Sequence, residues 1–218
     1  SVTTKPIIFD ADTGGKLEHF VFTVKSLERE GVSAVIIEDK VGLKKNSLFG
    51  TSVKQEQDTI EGFCDKIKAG KEAQTTDVFS IYARIESLIC GKSVDDALTR
   101  AFAYVEAGVD GVMIHSKEKS GKDIEEFVKR FREKDPLTTI TIVPTTYNHI
   151  DEEYWISIGV NIIIYANHLL RASYPAMVDT ASKILEDSNS VRASEKCISI
   201  KEILTLIPVT KWYAQKKF

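Results

Sequence analysis

The sequence predicts an α/β protein built on a parallel sheet. Short apolar strands alternate with amphipathic helices six times along the 218 residues. The strands are apolar almost throughout, as in a parallel sheet that is covered on both faces. The connections are short and contain no Pro-rich or low-complexity linker, so the pattern favours a single domain over 1–218.

The six predicted strands are 7–9, 32–37, 79–83, 111–114, 139–143 and 161–165. The predicted helices are 19–30, one that follows a cap at 52–55 and runs through Ile60 to Gly70, 97–107, 123–134, 152–158, 170–186 and 198–206. Gly31 is a typical stop signal for the first helix. Two pairs resemble capping boxes at helix starts, Ser52 with Gln55 and Ser93 with Asp96.

Composition excludes several classes of protein. A formal net charge of -3 and a pI near 5.9 give no overall attraction to nucleic acid or to an anionic membrane. No apolar run reaches the ~18 residues of a membrane span, and the first residues lack a signal-peptide core. We therefore expect a cytoplasmic protein without nucleic-acid or membrane partners.

Cys64, Cys90 and Cys197 are odd in number and widely spaced, which indicates neither a disulfide framework nor a zinc site.

The stretch 31–50 joins an apolar strand to a charged loop. The strand stops at Glu38, Asp39 and Lys40, and a basic segment at 44–47 follows. Two carboxylates and a lysine before such a loop suit a metal or phosphate site under a lid. Taken alone, the stretch fits a solvated strand end and a basic surface loop equally well.

The residues that follow the other strands distinguish a functional site from a surface loop. Polar residues follow each of the first four strands: Asp10 and Asp12, then Glu38, then Arg84 and Glu86, then His115. Each has an ordinary structural role open to it, such as a helix cap or an ion pair. In α/β barrels and open parallel sheets alike, however, ligands bind at the carboxyl ends of the strands. Their convergence at one edge favours an enzyme.

The residue types indicate the chemistry. Asp10, Asp12, Glu38 and Glu86 offer only hard oxygen ligands, which favour Mg²⁺ or Mn²⁺ over zinc. Positive charge comes from Lys44, Lys45, Arg84 and His115, as an anionic phosphoryl or carboxylate substrate requires. The sequence thus predicts a magnesium site beside a phosphate or carboxylate pocket.

One competing motif lies at the first strand. The apolar strand 7–9 is followed by Asp10-Ala11-Asp12-Thr13, which resembles the D-x-D-x-T nucleophile motif of haloacid-dehalogenase-type phosphotransferases. That family also needs an acidic pair after a late strand. The late strands here are followed by Pro144-Thr145 and Asn167-His168 instead, which disfavours this interpretation.

With all strand ends considered, the chain resembles the phosphoenolpyruvate mutase branch of the isocitrate lyase superfamily. The matching motifs, in family order, are DADTG at 10–14, EDK at 38–40, K-x-NSL at 44–48, ARIES at 83–87, HSK at 115–117, VPT at 143–145 and ANHLLRA at 166–172. The resemblance implies a magnesium-dependent (β/α)8 TIM-type barrel. It implies interconversion of phosphoenolpyruvate and phosphonopyruvate, the step that forms the carbon–phosphorus bond of phosphonates.

The resemblance also implies residue roles. Asp10 matches a direct metal ligand, Asp12 and Glu38 match carboxylates that hold the metal through water, and Glu86 supports them. The expected catalytic residues are Lys44, Asn46, Arg84 and His115, the last two holding the phosphoryl and pyruvyl oxygens. Lys40, Ser47 and Leu48 are expected in the substrate-binding, gating loop.

The same loop separates the relatives. Lyases of the superfamily carry a catalytic cysteine there, and 44–50 reads KKNSLFG without one. Phosphonopyruvate hydrolase tends to have Thr where Asn46 stands, so Asn46 favours the mutase. The hydrolase stays as an alternative, and an inactive barrel fragment serving as an assembly module is a third hypothesis.

Two departures from the family pattern accompany the match. The first loop, DTGGKLEHF, is about one residue shorter than usual. The chain also begins at what would be the family's third strand. We therefore expect a barrel domain over 1–218 that lacks the first two strands, is N-terminally incomplete and ends in C-terminal helices. The resemblance suggests a homodimer or tetramer that exchanges those helices.

Overall fold

The structure is a computed structural model, and it describes residues 5–42 and 56–206. The chain divides into two compact units. One comprises residues 6–166 and contains the sheet with the helices between its strands. The other comprises residues 1–5 and 167–218, and its described part contains the C-terminal helices.

The secondary structure of the first unit alternates between strand and helix. Its strands are β1 (Ile8–Asp10), β2 (Ala34–Glu38), β3 (Ser80–Ile85), β4 (Gly111–Ile114), β5 (Thr139–Ile142) and β6 (Ile162–Ile163). The helices between them are α1 (Leu17–Arg29), α2 (Ile60–Ala73), α3 (Val94–Glu106), α4 (Lys122–Arg132) and α5 (Glu152–Ser157). The second unit contains α6 (His168–Asp187), α7 (Val191–Ser194) and α8 (Ile200–Leu206).

The strands pair in the order β1-β2-β3-β4-β5-β6, and every pair is parallel. Parallel crossovers are right-handed, so a strand order that never reverses places all connecting helices on one side of the sheet. A doubly wound sheet would reverse its order instead. The predicted α/β class is confirmed, and the arrangement is that of a TIM-type fold with part of its strands.

Both faces of the sheet are apolar near its centre. On the helix side, Val35 and Ile37 of β2 belong to the main core, which packs the sheet against α1–α5. On the opposite side, Ile36 joins a smaller cluster with Tyr82, Met113 and Val143. Successive residues of a strand face opposite sides. The chain therefore sends the next alternate residue of β2, Glu38, to the side away from the helices.

Local signals for helix ends are partly confirmed. The Ser93 side chain accepts a hydrogen bond from the Asp96 backbone N–H at 3.2 Å, as the capping box predicts. Gly31 follows α1 with φ of 75°, a left-handed conformation that glycine adopts without strain. These caps depend on contacts within a few residues, which is why the sequence reveals them.

The start of α2 differs from the prediction. Ser52 and Gln55, the predicted cap, lie outside the described residues, and α2 begins at Ile60 with Thr59 as its cap. The Thr59 hydroxyl accepts from the Gly62 N–H at 3.0 Å. The reason is tertiary: residues 56–58 pair with the chain that leaves β2, so the helix forms only after them.

The C-terminal region also differs in detail. The predicted helix 170–186 corresponds to α6, and the predicted helix 198–206 is the shorter α8, with the additional α7 before it. Backbone turns with positive φ at Asn167 and Ser188 set the ends of α6. Among the described residues, no helix combines the length and the apolar character that crossing a bilayer demands.

Gly70 offers a test of the core. A Cβ at this position of α2 would lie 2.4 Å from Phe20 Cε1 and 3.0 Å from Ile81 Cδ1. Replacing a helical glycine by alanine ordinarily stabilises by roughly 1 kcal/mol, whereas overpacking costs about 1–3 kcal/mol. We expect Gly70→Ala to lower the free energy of unfolding by up to about 2 kcal/mol in urea denaturation. Lys68→Ala, at an exposed position of the same helix, is the control. A stabilised Gly70→Ala variant would show that α1 and α2 pack less closely.

Candidate active site

A cluster of ionisable side chains lies at the carboxyl ends of β2, β3 and β4. Its members, called here the charged cluster, are Glu38, Lys40, Arg84, Glu86 and His115. All five are buried. Alternation along the strands puts the first four on one side of the sheet, and the register pairs Glu38 with Arg84. Glu38, Arg84, Glu86 and His115, which follow different strands in the sequence, therefore lie together as predicted from the strand ends.

Arg84 lies at the centre of the cluster and contacts three carboxylates. Its Nη2 is 3.3 Å from Glu38 Oε2, its Nη1 is 3.8 Å from Asp10 Oδ2, and its Nε donates to Glu86 Oε1. Lys40 links the same two glutamates, since its Nζ is 3.2 Å from Glu38 Oε1 and 3.2 Å from Glu86 Oε2. The two cations thus hold the ends of β2 and β3 together.

His115 extends the cluster to β4. Its Nδ1 lies 3.0 Å from Arg84 Nη2 and 2.9 Å from Glu86 Oε1. This nitrogen therefore stands between a donor and an acceptor, and its protonation decides which of the two it engages. Either contact fixes the ring and leaves Nε2 as the nitrogen available to another group.

The two glutamates have opposite electrostatic environments. Burial raises the pKa of Glu38 above its usual range, and the charge of Arg84 offsets this only in part. Burial acts on Glu86 as well, but the hydrogen bond with His115 and the charge of Arg84 hold its pKa far below the usual range. The negative charge of Glu86 is thus balanced by its contacts with Lys40, Arg84 and His115. Glu38 lies beside both cations, but neither of its oxygens accepts a well-formed hydrogen bond.

The end of β1 and the loop after it bring the carboxylates of Asp10 and Asp12 to this edge. Asp10 Oδ1 accepts from the Asp12 N–H at 2.9 Å, and Asp12 O accepts from the Glu38 N–H at 2.7 Å. Asp12 has φ of 55°. Gly14, with φ of 73°, leaves room only for hydrogen, because a Cβ there would lie 3.0 Å from Ile37 Cγ2. The loop geometry therefore depends on this glycine.

The residues suit a hard divalent cation by charge and donor type. Around Arg84 and Lys40 stand three carboxylates, those of Asp10, Glu38 and Glu86, so the group has an excess of negative charge. The two Glu38 oxygens are buried without hydrogen bonds. Each could therefore bind a metal ion directly or accept a hydrogen bond from metal-bound water. Within residues 5–42 and 56–206, no group of three or more potential ligands is already drawn together.

The remaining predicted site residues lie outside the residues that the structure describes. Lys44, Asn46, Ser47 and Leu48 belong to residues 43–55, which the structure does not describe. Their roles stay predictions. Lys40, predicted in the loop, instead lies inside the charged cluster at the end of β2, where strand alternation directs it.

Sequence reasoning missed Lys66. This lysine is buried in α2. Its Nζ donates at 2.9 Å to the backbone oxygen of Thr13, which lies in the loop that follows Asp10 and contains Asp12. Burial lowers the pKa of its ammonium group. The available signal was its spacing: position 66 lies on the apolar face of the helix with Phe63. A lysine on such a face needs a polar partner, and here it is the loop carbonyl.

The fold and the site together define the class of this protein: an α/β enzyme whose functional groups lie at the carboxyl ends of parallel strands. The family described as phosphoenolpyruvate phosphomutase matches residues 1–185. The phosphoenolpyruvate phosphomutase of Tetrahymena pyriformis is 38% identical over 205 residues, covering 94% of this chain and 67% of that protein. The chain belongs to the phosphoenolpyruvate phosphomutase family.

Solved structures agree with this assignment. The crystal structure of phosphoenolpyruvate phosphomutase from Streptomyces platensis subsp. rosaceus matches with a TM-score of 0.90 and 34% identity, over 99% of this chain and 74% of that one. Phosphonopyruvate hydrolase in complex with oxalate and Mg²⁺ matches with a TM-score of 0.85 and 33% identity, over 97% and 72%. The chain spans about two thirds of the length of the curated relatives it matches.

The charged cluster predicts a distinct stability profile for Glu86→Gln. Glu86 is the carboxylate that contacts Lys40, Arg84 and His115 together, and breaking such a buried ion network by removing one partner costs about 3–5 kcal/mol of unfolding free energy at pH 7. The pKa of Glu86 is lower in the folded chain than its usual 4.5, so its contribution is complete above that pH and declines as the pH falls below it. The variant should therefore lose less stability than the wild type on acidification.

Urea denaturation at pH 7, 5 and 4 checks this prediction. Glu125→Gln is the control, because Glu125 forms an exposed pair with Lys129 and should change little. If the two variants behaved alike, the charged cluster would contribute no more than a surface ion pair.

Proposed function

We propose that this chain interconverts phosphoenolpyruvate and phosphonopyruvate as a magnesium-dependent mutase. The observation that carries the proposal is the charged cluster itself, with Arg84 between Asp10, Glu38 and Glu86 at the edge where barrel enzymes bind substrate. The family membership and Asn46, with no cysteine in 43–55, favour the mutase over the lyases. The complete (β/α)8 barrel belongs to this proposal, as does the treatment of 1–218 as one barrel domain.

Asp10, Asp12 and Glu38 would hold the metal ion. Magnesium, when bound, stabilises negative charge on an enolate oxygen of pyruvate. In this proposal Asp10 is the direct ligand, and Asp12 and Glu38 accept from metal-bound water. The raised pKa of Glu38 supports that role, because a nearby divalent cation would compensate a carboxylate that Arg84 and Lys40 serve only in part. Glu86 would keep both cations in place.

Arg84 and His115 would hold the oxygens of the moving phosphoryl group and of the pyruvyl unit. In the forward direction the bond between phosphorus and the enol oxygen breaks, and a bond between phosphorus and the methylene carbon forms. Phosphorus leaves one end of the substrate and joins the other, so no co-reactant is consumed. The equatorial oxygens of the phosphoryl group carry negative charge during the transfer. Fixed hydrogen-bond donors stabilise that charge, and the guanidinium and imidazole of the charged cluster would supply them.

Lys44 and Asn46, with Ser47 and Leu48, would close over the substrate and keep water away. Water capture of the phosphoryl group would give pyruvate and phosphate, which is the hydrolase reaction. The hydrolase is thus the second candidate, and the likeness to a solved phosphonopyruvate hydrolase supports it.

An oligomer belongs to the proposal as well. The family resemblance suggests a homodimer or tetramer that exchanges C-terminal helices. In the described part of the C-terminal unit, Ala193 is the one buried residue of α6, α7 and α8. Apolar side chains such as Leu169, Tyr174 and Met177 are exposed, which supports a partner for these helices.

Phosphorus NMR of the protein with phosphonopyruvate and Mg²⁺ tests the reaction. We expect the phosphonate signal to be replaced by that of phosphoenolpyruvate, because the enolate recaptures the phosphoryl group through oxygen. Chelation of the metal should stop the change. Inorganic phosphate and pyruvate as products would support the hydrolase, and no turnover would support the assembly module.

The metal roles predict different behaviour for two aspartates. Asp10→Asn should abolish turnover at any magnesium concentration, since it removes the direct ligand. Asp12→Asn should raise the magnesium concentration for half-maximal activity by about 10- to 100-fold and retain turnover. Asparagine is the suitable replacement because Asp12 has a positive φ that asparagine tolerates and alanine does not. Equal losses in both variants at saturating magnesium would contradict this division.

A further inference from the structure

Asp39, between two members of the charged cluster in sequence, is fully buried on the other side of the sheet. Its carboxylate accepts from four donors on three parts of the chain. Oδ1 accepts from the Glu86 backbone N–H at 2.9 Å. Oδ2 accepts from the Tyr104 hydroxyl at 2.7 Å, from Gln57 Nε2 at 2.8 Å and from Arg100 Nη1 at 3.3 Å. The sequence grouped Asp39 with Glu38 and Lys40 at a metal or phosphate site, whereas its side chain bonds to Tyr104 and Arg100 on the helix side.

Asp39 ties the end of β2 to the end of β3. Its backbone N–H donates to Arg84 O at 3.0 Å, and its side chain binds the Glu86 N–H. These bonds flank the residues whose side chains point the other way, namely Glu38 and Lys40 on one strand and Arg84 and Glu86 on the next. The spacing of the charged cluster therefore follows from bonds made on the helix side.

Helix α3 anchors this arrangement from outside. Arg100 and Tyr104 are one helical turn apart, and Arg100 Nη1 also contacts the Tyr104 hydroxyl at 3.0 Å and Asp58 O at 2.9 Å. Gln57 donates to Ser87 Oγ at 3.0 Å as well as to Asp39. The two strand ends, α3 and residues 57–58 thus share one hydrogen-bond network, which restrains all of them together.

A purely stabilising role explains this network poorly. Buried ion pairs pay a large desolvation penalty, and apolar residues of similar volume often stabilise a fold as well or better. A buried, charged hydrogen-bond network is expected instead where neighbouring side chains must be held in one exact position. The neighbouring groups here are the members of the charged cluster.

We propose that Asp39, held by Tyr104 and Arg100 of α3, is a positioning residue that sets the geometry of the charged cluster from the helix side of the sheet. It touches neither substrate nor metal. The inference rests on the proposed function, because it assigns the charged cluster to magnesium and substrate. Loss of the network should displace Glu38 and Arg84 relative to each other and leave the fold in place.

Tyr104→Phe is the main test, because it removes one donor to Asp39 and keeps the ring that packs on Phe63. Asp39→Asn is the second variant. Tyr147→Phe is the matched control: Tyr147 is as buried, but it packs on Trp155 away from Asp39. For each full-length chain, calorimetric titration with Mg²⁺ alone gives the dissociation constant. Phosphorus NMR gives kcat and KM, and thermal unfolding gives the stability.

We expect Tyr104→Phe to raise the magnesium dissociation constant by about 10- to 100-fold and to lower kcat by a similar factor, with KM nearly unchanged. Tyr147→Phe should leave all three at the wild-type values, because the Tyr147 hydroxyl has no hydrogen-bond partner among the described residues. Equal magnesium affinity and kcat in the two variants would overturn the proposal. A wild-type chain that binds magnesium without turnover would contradict the proposed reaction, and the calorimetric comparison would then decide the positioning role.

Discussion

The two-residue period of β2 and β3 is the constraint on which the rest of this structure depends. Along β2 it sends Val35 and Ile37 into the helix-side core and Glu38 to the opposite side. The parallel register then sets Glu38 beside Arg84. A slip of one residue would bury the charged side chains among the helices and turn apolar ones toward the site. Packing of the core and geometry of the site are therefore fixed by one register.

Charge balance explains why the buried ions are tolerated and what they lack. Glu86 has partners in Lys40, Arg84 and His115, and its pKa is held low. Glu38 shares two of those cations but gains no well-formed hydrogen bond, and burial keeps its pKa high. The contrast supports the different tasks proposed for these two carboxylates: Glu86 would order the cations, and Glu38 would accept an incoming positive charge.

The site is supported by groups that lie behind the strands. Lys66 reaches from α2 to the carbonyl of Thr13, and Asp39 is bonded to Arg100 and Tyr104 of α3. Such contacts place the loops and strand ends from the helix layer, while the opposite side of the sheet remains available for chemistry. This division agrees with a family in which similar folds carry out mutase, hydrolase and lyase reactions.

The sequence by itself determined the parallel α/β class, the six strands and the polar residues at their ends, because strand periodicity, caps such as Ser93 and apolar runs are local properties. Its family motifs predicted Asp10, Glu38, Arg84 and His115 as site residues. Only the tertiary structure decided which charges are paired, that Lys40 lies within the cluster, and that Lys66 and Asp39 support it from behind. Those contacts join residues up to 65 positions apart, such as Asp39 and Tyr104, and no local pattern encodes a hydrogen bond across that separation.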